Sequence, residues 1–189
     1  MEDAMRRKTF GMCVMTAALL TAGAVGGKAQ TAPAEPVANP VSSTVKTQMA
    51  RYGKNMVAGA ESMPAEKYGF KPTPEMISFG HLIVHITQSN NTLCAKLAGV
   101  AVPEVKLDEA DGKDKLVAAL KASFDYCSTS LANLDDGKLG EPMQIFGDRL
   151  LPRAVAWIAL SDGWNDHYSA EAIYLRLSGI LPPSAQPKK

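Results

Sequence analysis

An excess of charge of either sign is missing from this sequence: 20 lysines and arginines stand against 19 aspartates and glutamates in 189 residues. Without a basic surplus, composition makes no case for a nucleic-acid-binding surface or for attraction to an anionic membrane. A spanning segment is missing too. It would need ~20 consecutive strongly apolar residues. The one sustained apolar run, from about Phe10 to Val25, is shorter and consists mostly of small residues. No stretch alternates polar and apolar residues convincingly, so nothing argues for a strand. The signatures G-x-G-x-x-G, G-x-x-x-x-G-K-[ST] and G-x-S-x-G are absent, which removes the usual nucleotide-binding and serine-nucleophile readings. Cysteine is limited to Cys13, Cys94 and Cys127, with no C-x-x-C pair to suggest redox chemistry. Histidine is as scarce: His81, His85 and His167.

What is present begins with a leader. Arg6, Arg7 and Lys8 precede the Phe10–Val25 run, and "GGKAQ" follows it, with small residues where a signal peptidase cuts. This order of basic, apolar and small-residue regions predicts a signal peptide over residues 1–29 and an exported protein, periplasmic or secreted. Its removal takes four basic and two acidic residues, leaving 16 against 17. Residues 30–41, "QTAPAEPVANPV", form a Pro/Ala-rich spacer. Residues 42–184 are expected to make one domain and residues 185–189 a tail. Cys94 and Cys127 remain in the exported chain, either as a disulfide or as two buried thiols behaving as small apolar side chains.

The domain reads as four helices. Val45, Met49, Tyr52, Met56 and Ala60 fall on one side of the first, with Ser42 or Ser43 as cap and Pro64 as stop. The second is expected from Pro74, capped by Thr73, to Ala98, with Gly99 as its terminator. Its stripe is Phe79, Leu82, Ile83, Ile86, Leu93 and Leu97. The third, about 112–134, carries Leu116, Leu120, Phe124, Cys127 and Leu131. The fourth, 151–178, has Pro152 in its first turn and Gly179 after its end. Four such stripes predict an all-α four-helix bundle.

His81 and His85 are four residues apart on the second helix, so they share a face one turn apart. That spacing suits two ligands of a zinc, nickel, copper or iron ion, and equally a solvated or packed pair. His167 belongs to the fourth helix, in a stripe with Leu160, Trp164, Glu171 and Tyr174. Facing histidines on two helices are the parts from which bundle metal sites are made. The alternative is a core-edge histidine with a single hydrogen-bond partner. A Cys–His nucleophile finds little support, because Cys94 lies half a turn out of phase with His85.

Three stretches resemble the DinB-like family of metalloenzymes. "KYGFKPTPEMISFGHLIVHI" is similar to the family's entry into its second helix, and "SFDYC" to part of its third. "NDHYSAEAIYLRLSGILPPS" is similar to its last helix, with Asp166, His167, Tyr168, Tyr174, Arg176, Gly179, Pro182 and Pro183 in register. The resemblance spans residues 43–184. It implies a DinB-like four-helix bundle holding a divalent metal (Zn, Ni, Mn or Fe) through three histidines. Two of them match His85 and His167; the third falls at position 163, where this chain has Gly163. His81 and Glu171, each one turn from a matched histidine, are the candidate substitute ligands. With one of them in place, the resemblance implies a metal-dependent hydrolase or thiol transferase acting on a small molecule. Without one, it implies a non-catalytic binding or structural module with a degenerate site. Relatives often form homodimers, so a homodimer is an expected assembly.

Overall fold

The computed structural model describes residues 36–187. The expected signal peptide, the first half of the spacer and the last two residues lie outside the described residues. Within them stand four helices: α1 (Pro40–Ser62), α2 (Phe79–Ala98), α3 (Lys113–Leu131) and α4 (Arg153–Leu177). Two strands, β1 (Pro142–Gln144) and β2 (Leu150–Pro152), pair antiparallel ahead of α4. The protein is therefore an all-α bundle with one small hairpin, and no described helix is long and apolar enough to cross a membrane.

The helix stripes become the core. Val45, Met49, Tyr52, Met56 and Ala60 of α1 are all buried, as are Leu116, Leu120, Phe124, Cys127 and Leu131 of α3. Trp157, Trp164 and Tyr174 of α4 fill the centre. Burial of side chains this size contributes roughly 2–3 kcal/mol each before conformational entropy is charged against it.

The start of α3 is as expected, but those of α1, α2 and α4 differ, and at each of these backbone or side-chain groups from outside the helix take up its first amides. α1 begins at Pro40, inside the expected spacer. Neither Ser42 nor Ser43 is its cap residue; Asn39 is, at φ 52°. The carboxylate of Asp136 accepts from the amides of Val41 and Ser42 at 2.9 and 2.8 Å. Burial alone would raise the Asp136 carboxyl, but these two amides hold it below the usual aspartate range. α2 begins at Phe79, not at Pro74. Its first amides donate outward, Phe79 to Phe70 O and Gly80 to Tyr68 O, and Ser78 Oγ caps the His81 amide at 3.0 Å. A helix running through from Pro74 would lose those contacts. α4 begins at Arg153 and not at 151, because residues 150–152 are β2; Arg153 and Ala154 donate instead to Glu141 O and Leu139 O. Strands of three residues are too short for alternation to register, which is why the hairpin was not expected. Gly99 does end α2, at φ 69°, with Val100 N donating to Ala95 O.

Contacts fix the topology. Tyr52 meets Asn165 and Gly59 meets Glu171, so α1 and α4 run parallel. Asn90 meets Ser123 and Cys94 meets Cys127, so α2 and α3 run parallel too. The two pairs are antiparallel: Gly53 lies under Phe124, and Tyr174 reaches back to Ile77. Joining two parallel helices demands a long return, and residues 99–112 supply it as a strap across the α2–α3 face. Cys94 and Cys127 form a fully buried disulfide with Cα atoms 5.2 Å apart, which settles the alternatives left by the sequence. Beside it a polar relay crosses the core. Trp164 Nε1 donates to Asn90 Oδ1 at 2.8 Å, Asn90 Nδ2 donates to Ser123 Oγ, and Ser123 Oγ donates to Leu120 O.

Candidate metal centre

The α2–α4 edge is where two of the three histidines meet. On α2, burial of Leu82, Ile83 and Ile86 turns His81 and His85 outward. On α4, the buried Trp164 and Tyr168 set the helix rotation and leave His167 at the margin of the core. The rings of His85 and His167 stand edge to face, with centroids 4.9 Å apart and planes at 87°. Burial depresses the His167 imidazole below the usual histidine range, His85 depresses it further, and Asp166 opposes the shift. The shift favours the neutral imidazole, the form that ligates metals. Two imidazoles bound to one ion at ~2.1 Å through nitrogen have ring centres roughly 5 Å apart, so this pair suits shared ligation.

The other candidates do not join them. His81, half-exposed, turns to the strap: its Nδ1 lies 3.4 Å from Glu109 Oε2. The same carboxylate oxygen accepts from Ser78 Oγ at 2.6 Å. Glu171 follows His167 by one turn but faces the opposite neighbour. It is fully buried against Gly59 of α1, and neither carboxyl oxygen has a hydrogen-bond partner. A Cβ placed on Gly163 would meet only His167 Cε1, at 3.8 Å. The cavity there, bordered by Ser89, Asn90, Leu93 and Trp164, measures about 10 Å³, roughly room for one water. Among the described residues, no group of three or more His, Cys, Asp or Glu side chains is placed to hold a metal ion. A three-ligand divalent site thus does not fit the side chains present: two imidazole rings approach each other and no third ligand joins them among the described residues.

Two residues of this neighbourhood were not singled out by sequence. Glu109 sits 28 positions from His81 in an irregular strap, and no local pattern marks it. Asn90 does leave a signal. It is a carboxamide in the buried part of a helix, where polar groups are expected to be hydrogen-bonded.

A family model described as the DinB superfamily matches residues 48–161. That span includes His81 and His85 and stops short of Gly163 and His167. Solved structures similar in fold include the following three. A DinB-like protein of Bacillus cereus has a TM-score of 0.62 at 14% identity, over 75% of this chain and 95% of its own. A DinB-like protein of Bacillus subtilis has a TM-score of 0.62 at 17% identity, over 77% and 99%. A conserved protein of Enterococcus faecalis has a TM-score of 0.56 at 15% identity, over 72% and 95%. At these identities the likeness is one of fold alone. No curated protein matches the chain.

Proposed function

The chain belongs to the DinB superfamily, and from that premise we propose that it is an exported helical binding module with a degenerate, two-histidine metal site, not a metal-dependent enzyme. The observation that carries this reading is position 163. A glycine stands where the family resemblance expects a third ligand, and neither His81 nor Glu171 turns toward the His85–His167 pair. A catalytic metal needs about three protein ligands plus an open position for water. Export is supported by the leader pattern and by the buried Cys94–Cys127 disulfide, since such bonds persist in oxidising compartments.

A second reading keeps the chemistry: a divalent-metal-dependent hydrolase or thiol transferase acting on a small molecule. The 4.9 Å approach of His85 and His167 favours it. Calorimetric titration of the purified protein with Zn²⁺, Ni²⁺ and Mn²⁺ separates the two. The module reading expects no stoichiometric binding at micromolar metal, and a gain of tight binding in Gly163→His. One tightly bound equivalent in the wild type, lost in His85→Ala or His167→Ala, would establish the second reading.

A further inference from the structure

The strap is more than a connection. Beneath it, on the α2–α3 face, lies a cavity of about 160 Å³. Its walls are Pro103 and Val105 of the strap and Ala119, Ala122 and Tyr126 of α3; Asn91 of α2 lines it as well. Asn91 is 5% exposed; its carboxamide makes no side-chain hydrogen bond to another described residue, and its polar atoms are not among those sealed from water without a partner. The other polar groups here are committed. Ser123 Oγ accepts from Asn90 and donates to Leu120 O, and the Tyr126 hydroxyl donates to Ala101 O, pinning the strap down. No charged side chain lines the space.

A carboxamide that lines a cavity without a protein partner is open to exchange its water for the complementary groups of a ligand. A carboxamide offers an acceptor and two donors on one planar group. We infer that this cavity binds a small neutral molecule of the carboxamide or lactam class, gripped by two parallel hydrogen bonds to Asn91 and covered by the strap. Size and charge narrow the class. At ~30 Å³ per water the space holds roughly five waters, so it suits a ligand of comparable bulk. An anion would enter a site with no cation to balance it, and a hydrocarbon would leave Asn91 unpaired. The site lies on the α2–α3 face and is independent of the histidine pair on the α2–α4 edge.

The test is a titration of the ¹⁵N-labelled protein, followed by NMR, with 2-pyrrolidinone and propionamide, and with propionate and cyclopentane as controls. Saturable shifts are expected at the Asn91 side-chain NH₂ and in residues 101–107 with the lactam and the amide, with the imidazoles of His85 and His167 unmoved. Asn91→Leu is expected to weaken lactam binding by roughly tenfold or more, the value of about one well-made hydrogen bond. Ala122→Leu, which fills the cavity and keeps the amide, is expected to abolish it. Either variant suffices if the other does not fold. The inference is overturned by the absence of saturable shifts with both amides, which leaves a cavity filled by water only. Equal affinity of wild type and Asn91→Leu, or tighter binding of propionate than of propionamide, would overturn it too.

Discussion

Replacing Glu171 by glutamine is expected to remove a pH-dependent weakness at the centre of the bundle. The Glu171 side chain is fully buried, and neither of its oxygens has a hydrogen-bond partner. Burial alone raises its carboxyl well above 4.5. Nearby, the Tyr68 phenol is pushed up, first by burial and then by the charge Glu171 would carry. Below pH 4.5 the carboxyl is protonated in folded and unfolded chains alike and contributes no pH dependence. Above 4.5 the unfolded chain releases this proton while the folded chain keeps it. The unfolded state then binds fewer protons, and stability falls as pH rises until the buried acid itself ionises. The slope in that window approaches ~1.4 kcal/mol per pH unit. For a domain of this size that corresponds to roughly 3–6 °C of Tm per unit. Glu171→Gln retains shape and polarity without the titration. Groups titrating elsewhere are common to both proteins and cancel in the difference. Urea unfolding followed by circular dichroism at pH 5, 6 and 7 should show the variant gaining on the wild type with each unit. A difference constant to within ~0.5 kcal/mol across that range would refute the reasoning, because it would mean that Glu171 is solvated or ion-paired. The geometry has its own control. A Cβ on Gly59 would lie 2.9 Å from Glu171 Cδ and 3.2 Å from Leu175 Cδ1. Gly59→Ala should therefore cost about 1–3 kcal/mol in wild type, and less in a Glu171→Ala background.

Two further outcomes follow from the core. The disulfide closes a 33-residue separation, so the Cys94→Ala, Cys127→Ala double variant should lose about 3–4 kcal/mol by loop-closure entropy; differential scanning calorimetry with and without reductant checks this, and an unchanged Tm would contradict it. Asn90→Ala leaves the Trp164 indole N–H without its acceptor in the core and should cost roughly 1–3 kcal/mol, read as a lower urea midpoint at unchanged m-value.

The helices were legible because a stripe is a local property. Val45 through Ala60 and Leu116 through Leu131 repeat at helical spacing, and those positions are the buried ones. The stop at Gly99 was legible for the same reason, since an αL glycine needs no distant partner. The starts of α1, α2 and α4 were not, although that of α3 was. Asp136 caps α1 from 94 and 95 residues away, and Phe70 and Tyr68 hold the first amides of α2. No local signal encodes a cap arriving from another element. The hairpin was invisible because three residues cannot display a period of two.

The candidate site divides along the same line. Sequence and family resemblance were enough to single out His85 and His167 and to mark position 163 as vacant, because residue identity and spacing along one helix are one-dimensional facts. Only the tertiary structure decided where the neighbours of those histidines point. Four residues along a helix advance about 40° beyond a full turn. On α4, which packs against α2 on one side and α1 on the other, that offset separates His167 at the α2 edge from Glu171 buried against Gly59. His81 likewise shares a helix face with His85, yet the strap brings Glu109 to it and draws it away. A ligand set is a convergence of side chains from different helices, and helix rotation and strap placement are set by the packing of the whole core.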